Sequence, residues 1–214
     1  MTSGPAAPPL PPPPPPAAAA HAVSEAARAA ADAWAQPMDP AESGRAVSQL
    51  HSVLRDLGIA TRGLALYQTT GHPGDPAPPE FPRLVTAGAQ QLLEAWQRLD
   101  GVVAAEGLGP VPDPGEPGAV LCRAARNAIT AWRQPAGSSA DRDTTIERLI
   151  TTIGCLSAAT QCLITHAPRQ RAIELHAADA CLAEATVCLA RVIQPSADYP
   201  APSLAPGGTP NGSR

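Results

Sequence analysis

The chain has 214 residues, and its 15 basic and 19 acidic side chains give a formal net charge of −4. Every basic residue is an arginine, so the chain has no lysine for a Schiff base, a phosphate-binding P-loop or general-base catalysis. Its even, mildly acidic balance argues against direct nucleic-acid binding, which needs a basic face that displaces counterions.

The chain opens with a proline-rich segment, residues 1–16, which includes six consecutive prolines from Pro11 to Pro16. Such a run favours polyproline II, a conformation without internal hydrogen bonds that cannot join a packed core. We expect residues 1–16 to be a disordered tail, serving either as a spacer or as a peptide for an aromatic-lined groove. Residues 195–214, rich in Pro, Ser and Gly, are expected to be a second disordered tail.

Prolines divide the chain between these tails into segments of helical length. A proline inside a helix costs about 3 kcal/mol, because it removes a hydrogen-bond donor and clashes with the preceding turn. The segments are rich in good helix formers and show no sustained alternation typical of strands. We therefore predict an all-α protein, a six-helix bundle over residues 17–194. The proline-free segments are 17–36, 41–72, 83–109, 118–134, 136–167 and 169–194.

Three helix starts carry recognisable signals. Asp39 and Glu42 flank a proline in the pattern of a capping box, which predicts that a helix begins there. Residues 113–116 repeat this pattern, although Pro117 offers a later start at Glu116. Ser138 or Ser139 is expected to cap the fifth helix.

Pro168 leaves two alternatives, a short turn between two helices or a kink in one long helix of more than 50 residues. We favour the turn, because a single rod would leave a long apolar stripe uncovered.

The apolar residues of the segments recur in steps of three and four, as expected of helices in a bundle. The last segment carries a heptad stripe of Leu175, Leu182 and Leu189. It is flanked by Ile173, Ala180 and Val187 at the same spacing.

Two stretches of the chain resemble each other closely enough to indicate an internal duplication. Residues 26–37 and 124–135 share eight of twelve positions, including Arg28 with Arg126 and Trp34 with Trp132. We predict a tandem duplication of a three-helix unit, residues 17–109 and 114–194, packed about a pseudo-twofold axis. Compositional coincidence is the alternative.

The rest of each unit aligns more weakly. The stretch from Leu50 to Gly58 matches the stretch from Ile146 to Gly154, and residues 92–95 match residues 182–185. If the duplication holds, the alanine-rich stretch 17–36 is an ordered helix and not part of the tail.

Five cysteines are the first candidates for chemistry. Their odd number and the absence of a C-x-x-C pair argue against a disulfide framework and a zinc ribbon. Two pairs lie seven residues apart on neighbouring predicted helices, which would bring Cys155 and Cys181 to similar heights in an antiparallel hairpin. The simpler interpretation is that they are small hydrophobes that let helices pack closely. They are Cys122, Cys155, Cys162, Cys181 and Cys188.

A sharper hypothesis places a metal or redox site between the last two helices. Cys162 and His166 lie one turn apart, and His176 begins the next helix nearby. Thiolate and imidazole at this spacing suit Zn²⁺, with a fourth ligand from Cys122 or elsewhere. Our prediction is nevertheless that the chain binds no metal and no cofactor and has no catalytic residues, because no catalytic or nucleotide-binding motif is present.

Arg28 and Arg126, with Trp34 and Trp132, could frame a pseudo-symmetric anion site, because arginine binds carboxylates or phosphates bidentately. The simpler interpretation is that the tryptophans anchor the ends of the bundle and the arginines lie in solvent.

His51 is expected to be a helix-face residue. The uncharged stretch 149–168 is long enough to span a membrane but has no Trp or Tyr anchors, and we expect it to be a central bundle helix.

The pattern as a whole favours a non-catalytic, cytoplasmic helical bundle that acts through protein–protein contacts as an adaptor or regulatory module, with a protein partner or as a homodimer. The segments carry amphipathic stripes, and no secretory signal is visible. We expect no membrane and no direct nucleic-acid partner. The alternative is a sensor of a small ligand, a metal or redox state that uses the cysteines of the last two helices.

Overall fold

The computed structural model describes residues 12–67, 77–106, 113–135 and 137–194, and within these ranges it contains helices and no strands. The all-α prediction is therefore confirmed. The six helices are α1 (Pro16–Trp34), α2 (Pro40–Tyr67), α3 (Phe81–Glu106), α4 (Pro117–Ala131), α5 (Ser139–His166) and α6 (Arg169–Ile193). Residues 1–11 and 195–214 lie outside the described residues. Most of the first predicted tail and the whole of the second fall within these two ranges.

The helix boundaries follow the capping signals of the sequence. At the start of α2, the amide of Glu42 donates to Asp39 Oδ1 at 2.8 Å and the amide of Asp39 donates to Glu42 Oε2 at 2.9 Å, which is a complete capping box. At the start of α5, Ser138 Oγ accepts from the amide of Asp141 at 3.1 Å. Pro168 separates α5 from α6, so the predicted turn is correct.

Helix α4 takes the later of its two predicted starts, and helix α1 begins one residue earlier than predicted. Helix α4 begins at Pro117 and not at Pro114, because Asp113 Oδ1 accepts from the amide of Gly115 in a turn before the helix. Helix α1 begins at Pro16, the last residue of the predicted tail. Both prolines occupy the first helical turn, where the fixed φ fits and no amide donor is needed.

The helices close into a ring in the order α1–α4–α2–α3–α6–α5, and α2 also touches α5 across the middle. Neighbours run antiparallel except α2 with α4 and α1 with α5. Exchanging α1 with α4, α2 with α5 and α3 with α6 leaves this pattern of contacts unchanged. The arrangement is the one that a twofold-related pair of three-helix units would make.

The two related tryptophans occupy corresponding places at the ends of α1 and α4. Trp132 is fully buried, and its Nε1 donates to the carbonyl of Pro16 at the start of α1, at 3.2 Å. Trp34 is buried against the start of α4, where a Cβ added to Gly118 would lie 3.0 Å from its Cζ2 atom. The duplication itself stays a prediction, which a superposition of the two halves would test.

The core combines leucine-rich helices with alanine-rich ones. Helices α2, α3, α5 and α6 contribute buried leucines and isoleucines, whereas α1 and α4 contribute mainly alanines. Small side chains let helix backbones approach closely, so the α1–α4 pair packs tightly against one side of α2 and α5, opposite α3 and α6. The predicted ordered helix over the alanine-rich stretch is confirmed, since α1 ends at Trp34.

Candidate protein interaction face

Helix α6 has apolar residues on two opposite sides. Its leucine stripe, Leu175, Leu182 and Leu189, is fully buried against the bundle. The flanking stripe lies in solvent, since Ile173 is 52% exposed and Val187 is 46% exposed. Ala180, which is also exposed, lies midway between them. Residues two positions apart along a helix point in directions that differ by 200°. Each residue of the flanking stripe precedes a buried leucine by two positions, so this stripe points away from the core.

The neighbouring surface of α5 is uncharged. Thr151, Gly154 and Ala158 are exposed along one side of this helix, followed by Gln161 and Thr165. No Asp, Glu, Arg or Lys occurs between Leu149 and Pro168. Together with the stripe of α6, these residues form a surface of small, apolar and uncharged polar side chains, and its apolar part is unusual for the solvent side of a bundle.

The α5–α6 groove has open space at a position where, in the α2–α3 groove, a leucine side chain is packed. A Cβ added to Gly58 on α2 would lie 2.7 Å from the Cγ and Cδ2 atoms of Leu93 on α3, so the leucine packs directly over the glycine. The sequence alignment pairs Gly58 with Gly154 and Leu93 with Ala183. Nothing lies within 4 Å of a Cβ added to Gly154. The second half therefore lacks the leucine that closes the first.

We define the α5–α6 face as the exposed residues that surround this open groove. They are Thr151, Gly154 and Ala158 on α5, and Ile173, Ala180, Ala183 and Val187 on α6.

The first half offers an internal comparison for this face. The offset of 90 residues that aligns Leu92 with Leu182 also aligns Ile173, Ala180 and Val187 with Arg83, Gln90 and Gln97. These three polar residues are all exposed. Gln90 and Gln97 line a groove of about 310 Å³ together with Arg62 and Glu94. The same place on the fold is thus polar in one half and apolar in the other, so packing within the chain does not require the apolar residues.

The charges at the α5–α6 face are either paired across the groove or lie beside the apolar stripe. Asp179 at the junction of the two helices accepts hydrogen bonds from Ser157 Oγ and Gln161 Nε2, so its carboxylate is paired across the groove. His176 and Glu184 are exposed beside the apolar stripe. A rim of polar groups around an apolar centre is the usual composition of a protein–protein interface.

The hypothesised metal ligands do not come together. Cys162 is half-buried on α5, whereas His166 and His176 are exposed on either side of the turn between α5 and α6. Among the described residues no three His, Cys, Asp or Glu side chains are placed to hold a metal ion. The Cys162, His166 and His176 hypothesis therefore has no geometric support in this part of the chain.

The five thiols are free and half-buried. The charged groups that act on the thiol of Cys155 are Arg28 and its neighbours on α1. Those that act on the thiol of Cys181 include Glu94 and Arg98 on α3. The two thiols therefore face different helices, and the expected proximity of Cys155 and Cys181 does not produce a pair. Desolvation by burial raises the pKa of both thiols, which disfavours the thiolate that redox chemistry needs.

The two paired arginines do not share an anion site. Arg28 forms an ion pair with Glu25 at 2.8 Å on the surface of α1, and its side chain is half exposed. Arg126 Nε lies 3.6 Å from Asp56 Oδ2, and its side chain is also largely exposed. Each guanidinium is therefore paired with a different carboxylate, while both tryptophans are buried as helix-end anchors.

The sequence did not draw attention to a buried polar seam between α2 and α4. Asp56 is almost fully buried and accepts from Arg55 at 3.0 Å, and the buried amide of Gln49 has no hydrogen-bond partner on either atom. Cys122 Sγ contacts the carbonyl of Gln49 at 3.6 Å. Desolvation and the charge of Asp56 raise the pKa of Cys122 to about 11. The charged residues Arg55 and Asp56 between Leu54 and Leu57 were the available signal.

His51 packs on the opposite side of α2, against α3. Its ring centroid is 5.8 Å from that of Trp96, and its Nε2 atom lies 3.3 Å from Asp100 Oδ1 without the alignment of a hydrogen bond. Desolvation by burial lowers the pKa of His51, and Asp100 partly opposes this effect. The structure thus places His51 in a partly buried contact between α2 and α3, where the sequence predicted a residue on a helix face.

Helix α5 is long and apolar enough, by length and composition, to cross a membrane, and no other helix of the described residues is. Central helices of soluble bundles pass the same test. One side of α5 is buried against its neighbours, including Ile153, Leu156 and Leu163. This side belongs to the core, and the exposed side of α5 after Leu149 carries no Asp, Glu, Arg or Lys.

No protein family, curated protein or solved structure matches this chain.

Proposed function

We propose that this protein is a non-catalytic, cytoplasmic helical module that acts through protein–protein contacts and docks its partner on the α5–α6 face. The partner surface has a stated chemistry: a helix that presents aliphatic side chains to the open groove at Gly154 and Ala183. The observation that carries the proposal is the exposed apolar stripe of α6, which stands where the first half has Arg83, Gln90 and Gln97.

The physical reason lies in the solvation of the exposed stripe. Burying apolar surface stabilises a protein by roughly 25 cal/mol per Å². Ile173 and Val187 do not contribute this stabilisation to the bundle, because their side chains are exposed. A bundle gains nothing in solubility from this arrangement, and contiguous exposed apolar surface marks contact sites on soluble proteins. The empty place over Gly154 adds shape to the apolar surface, because a protruding aliphatic side chain can enter it.

The proposal also includes the tandem duplication, which explains the contrast between the halves. One copy of the ancestral unit keeps a polar groove between α2 and α3, where Leu93 packs over Gly58, and the other has an apolar surface between α5 and α6 with open space at Gly154.

Photo-crosslinking at two matched positions tests the proposal. A benzoylphenylalanine is placed at Val187 in one full-length variant and at the aligned Gln97 in the other, and adducts formed in cells are identified by peptide mass spectrometry. We expect one identified protein at Val187, no such adduct at Gln97, and loss of the adduct when Ile173→Arg is added. Equal adducts at both positions, adducts with lipid alone, or none at Val187 would refute it.

A further inference from the structure

We infer that the occupant of the α5–α6 face is a second copy of this chain, paired through α6 in antiparallel orientation about Ala180. This inference rests on the proposed function and names its partner. A twofold-symmetric dimer uses the same patch on both subunits, so the patch must complement itself. The α5–α6 face carries both components that this requires: exposed aliphatic side chains in Ile173 and Val187, and small exposed residues in Ala180, Ala183 and Gly154, with open space beside Gly154.

The order of residues along α6 is symmetric about Ala180 in its chemistry. Ile173 and Val187 each lie seven residues from Ala180, so antiparallel pairing brings the Ile173 of one copy level with the second copy's Val187. The two Ala180 methyl groups meet at the centre, where the backbones must approach most closely. The first half has no such symmetry at the aligned positions Arg83 and Gln97.

The charges beside the stripe follow the same symmetry. His176 and Glu184 each lie four residues from Ala180, so the His176 of one copy and the Glu184 of the other are level along the interface. These groups can pair by a hydrogen bond or a charge. Arg169 and Arg191 lie eleven residues from the centre and bring like charges together at both ends, where they are exposed and screened by salt.

The size of the face indicates a reversible dimer. The 14 steps from Ile173 to Val187 span about 21 Å at a rise of 1.5 Å each, and two helices side by side make the face roughly 20 Å wide. Stable complexes bury about 800 Å² on each partner, and this face is smaller. We therefore expect association in the micromolar range and not a permanent dimer.

Sedimentation velocity of the full chain between about 1 and 200 µM measures the association directly. We expect the weight-average mass to rise from monomer towards dimer. Ala180→Glu places two carboxylates at the centre of the interface and is expected to raise the dissociation constant at least tenfold. The control is Gln90→Glu, the same change at the aligned exposed position of α3, which should dimerise like the wild type.

A charge-swap series tests the orientation of the pair. Ile173→Glu and Val187→Arg should each weaken the dimer, because each places a charge opposite an aliphatic side chain. In the double variant every new glutamate faces a new arginine of the other copy, so dimerisation should recover. Parallel pairing would place like charges together and give no recovery. All five variants, the double variant included, change exposed side chains, and thermal melts verify that they remain folded.

The outcomes separate this inference from the proposed function. A wild type that stays monomeric at every concentration, unchanged dimerisation of Ala180→Glu, or no recovery in the double variant overturns the antiparallel dimer. If Val187 then crosslinks to a different identified protein, the protein-binding function stands and the second copy is wrong. If Val187 gives only lipid adducts or none, both proposals fall.

Discussion

Alanine substitution of two aligned glycines, Gly58 and Gly154, tests whether the α5–α6 groove is open in solution. Both glycines lie inside a helix, so each replacement gains the same helix propensity, about 0.8–1.0 kcal/mol. The two sites differ only in their surroundings. At Gly58 the new methyl group would lie 2.7 Å from Leu93, whereas at Gly154 it meets no atom within 4 Å.

The difference in stability can be worked out from these contacts. Forcing an extra methyl group into a packed site costs about 1–3 kcal/mol, which cancels or exceeds the propensity gain at Gly58. Gly154→Ala should therefore stabilise the protein by somewhat under 1 kcal/mol, and Gly58→Ala should be neutral or destabilising by up to about 2 kcal/mol. The two variants should differ by about 1–3 kcal/mol, or several degrees in Tm for a chain of this size.

Urea denaturation followed by circular dichroism measures both free energies of unfolding. Leu93→Ala reproduces in the first half the arrangement of the second, and in that background Gly58→Ala should become stabilising. Equal effects of the two glycine substitutions, or no sign change in the Leu93→Ala background, would refute the assignment of a filled groove and an open one.

Four other changes should give defined results. Gly118→Ala would place a methyl group 1.9 Å from Gln49 Oε1, and we expect a loss of at least about 2 kcal/mol in urea denaturation; an unchanged midpoint would contradict the close contact. Asp39→Ala removes the N-cap acceptor of α2 and should cost about 1 kcal/mol, measured in the same way. The pKa of His51 is lowered below 6.5 on folding, so the unfolded chain binds the extra proton and stability is lost as pH falls below 6.5. His51→Gln should show a smaller loss between pH 7 and pH 5, and an identical pH profile would be the contrary result. Because the pKa of Cys122 is raised to about 11, iodoacetamide at pH 8 should alkylate it more than tenfold more slowly than a model thiol, followed by mass spectrometry.

Helix number and helix ends were accessible from the sequence because their causes are local. Proline positions bound each helix, and the capping box at Asp39 formed as its spacing indicated. The start of α4 was less certain because Asp113 and Pro117 are both compatible with a helix start, and the turn made by Asp113 decided between them.

The ring order was not accessible in the same way. The alanine-rich helices α1 and α4 carry little information about which neighbour they contact, since alanine packs against almost any apolar surface. The outcome depends on long-range contacts such as that of Trp132 with Pro16. The predicted internal repeat indicated two matched three-helix units, but not that the first helix of each unit packs on the second helix of the other.

The candidate face shows the same limit. Both heptad stripes of α6 were visible in the sequence, and periodicity alone does not say which stripe faces the core. The three leucines of one stripe contact α3 and α5, and this leaves Ile173 and Val187 in solvent. Recognising the stripe as unusual also needed the structure of the first half, where the same positions are polar.

The most direct measurement of the central claim is the photo-crosslinking pattern of the full chain with the reactive group at position 187 and, separately, at position 97. We expect an identified protein adduct, this chain's own α6 above all, only when the group replaces Val187. Equal labelling from both positions, or none from the α6 position, would contradict a protein-binding role for the α5–α6 face.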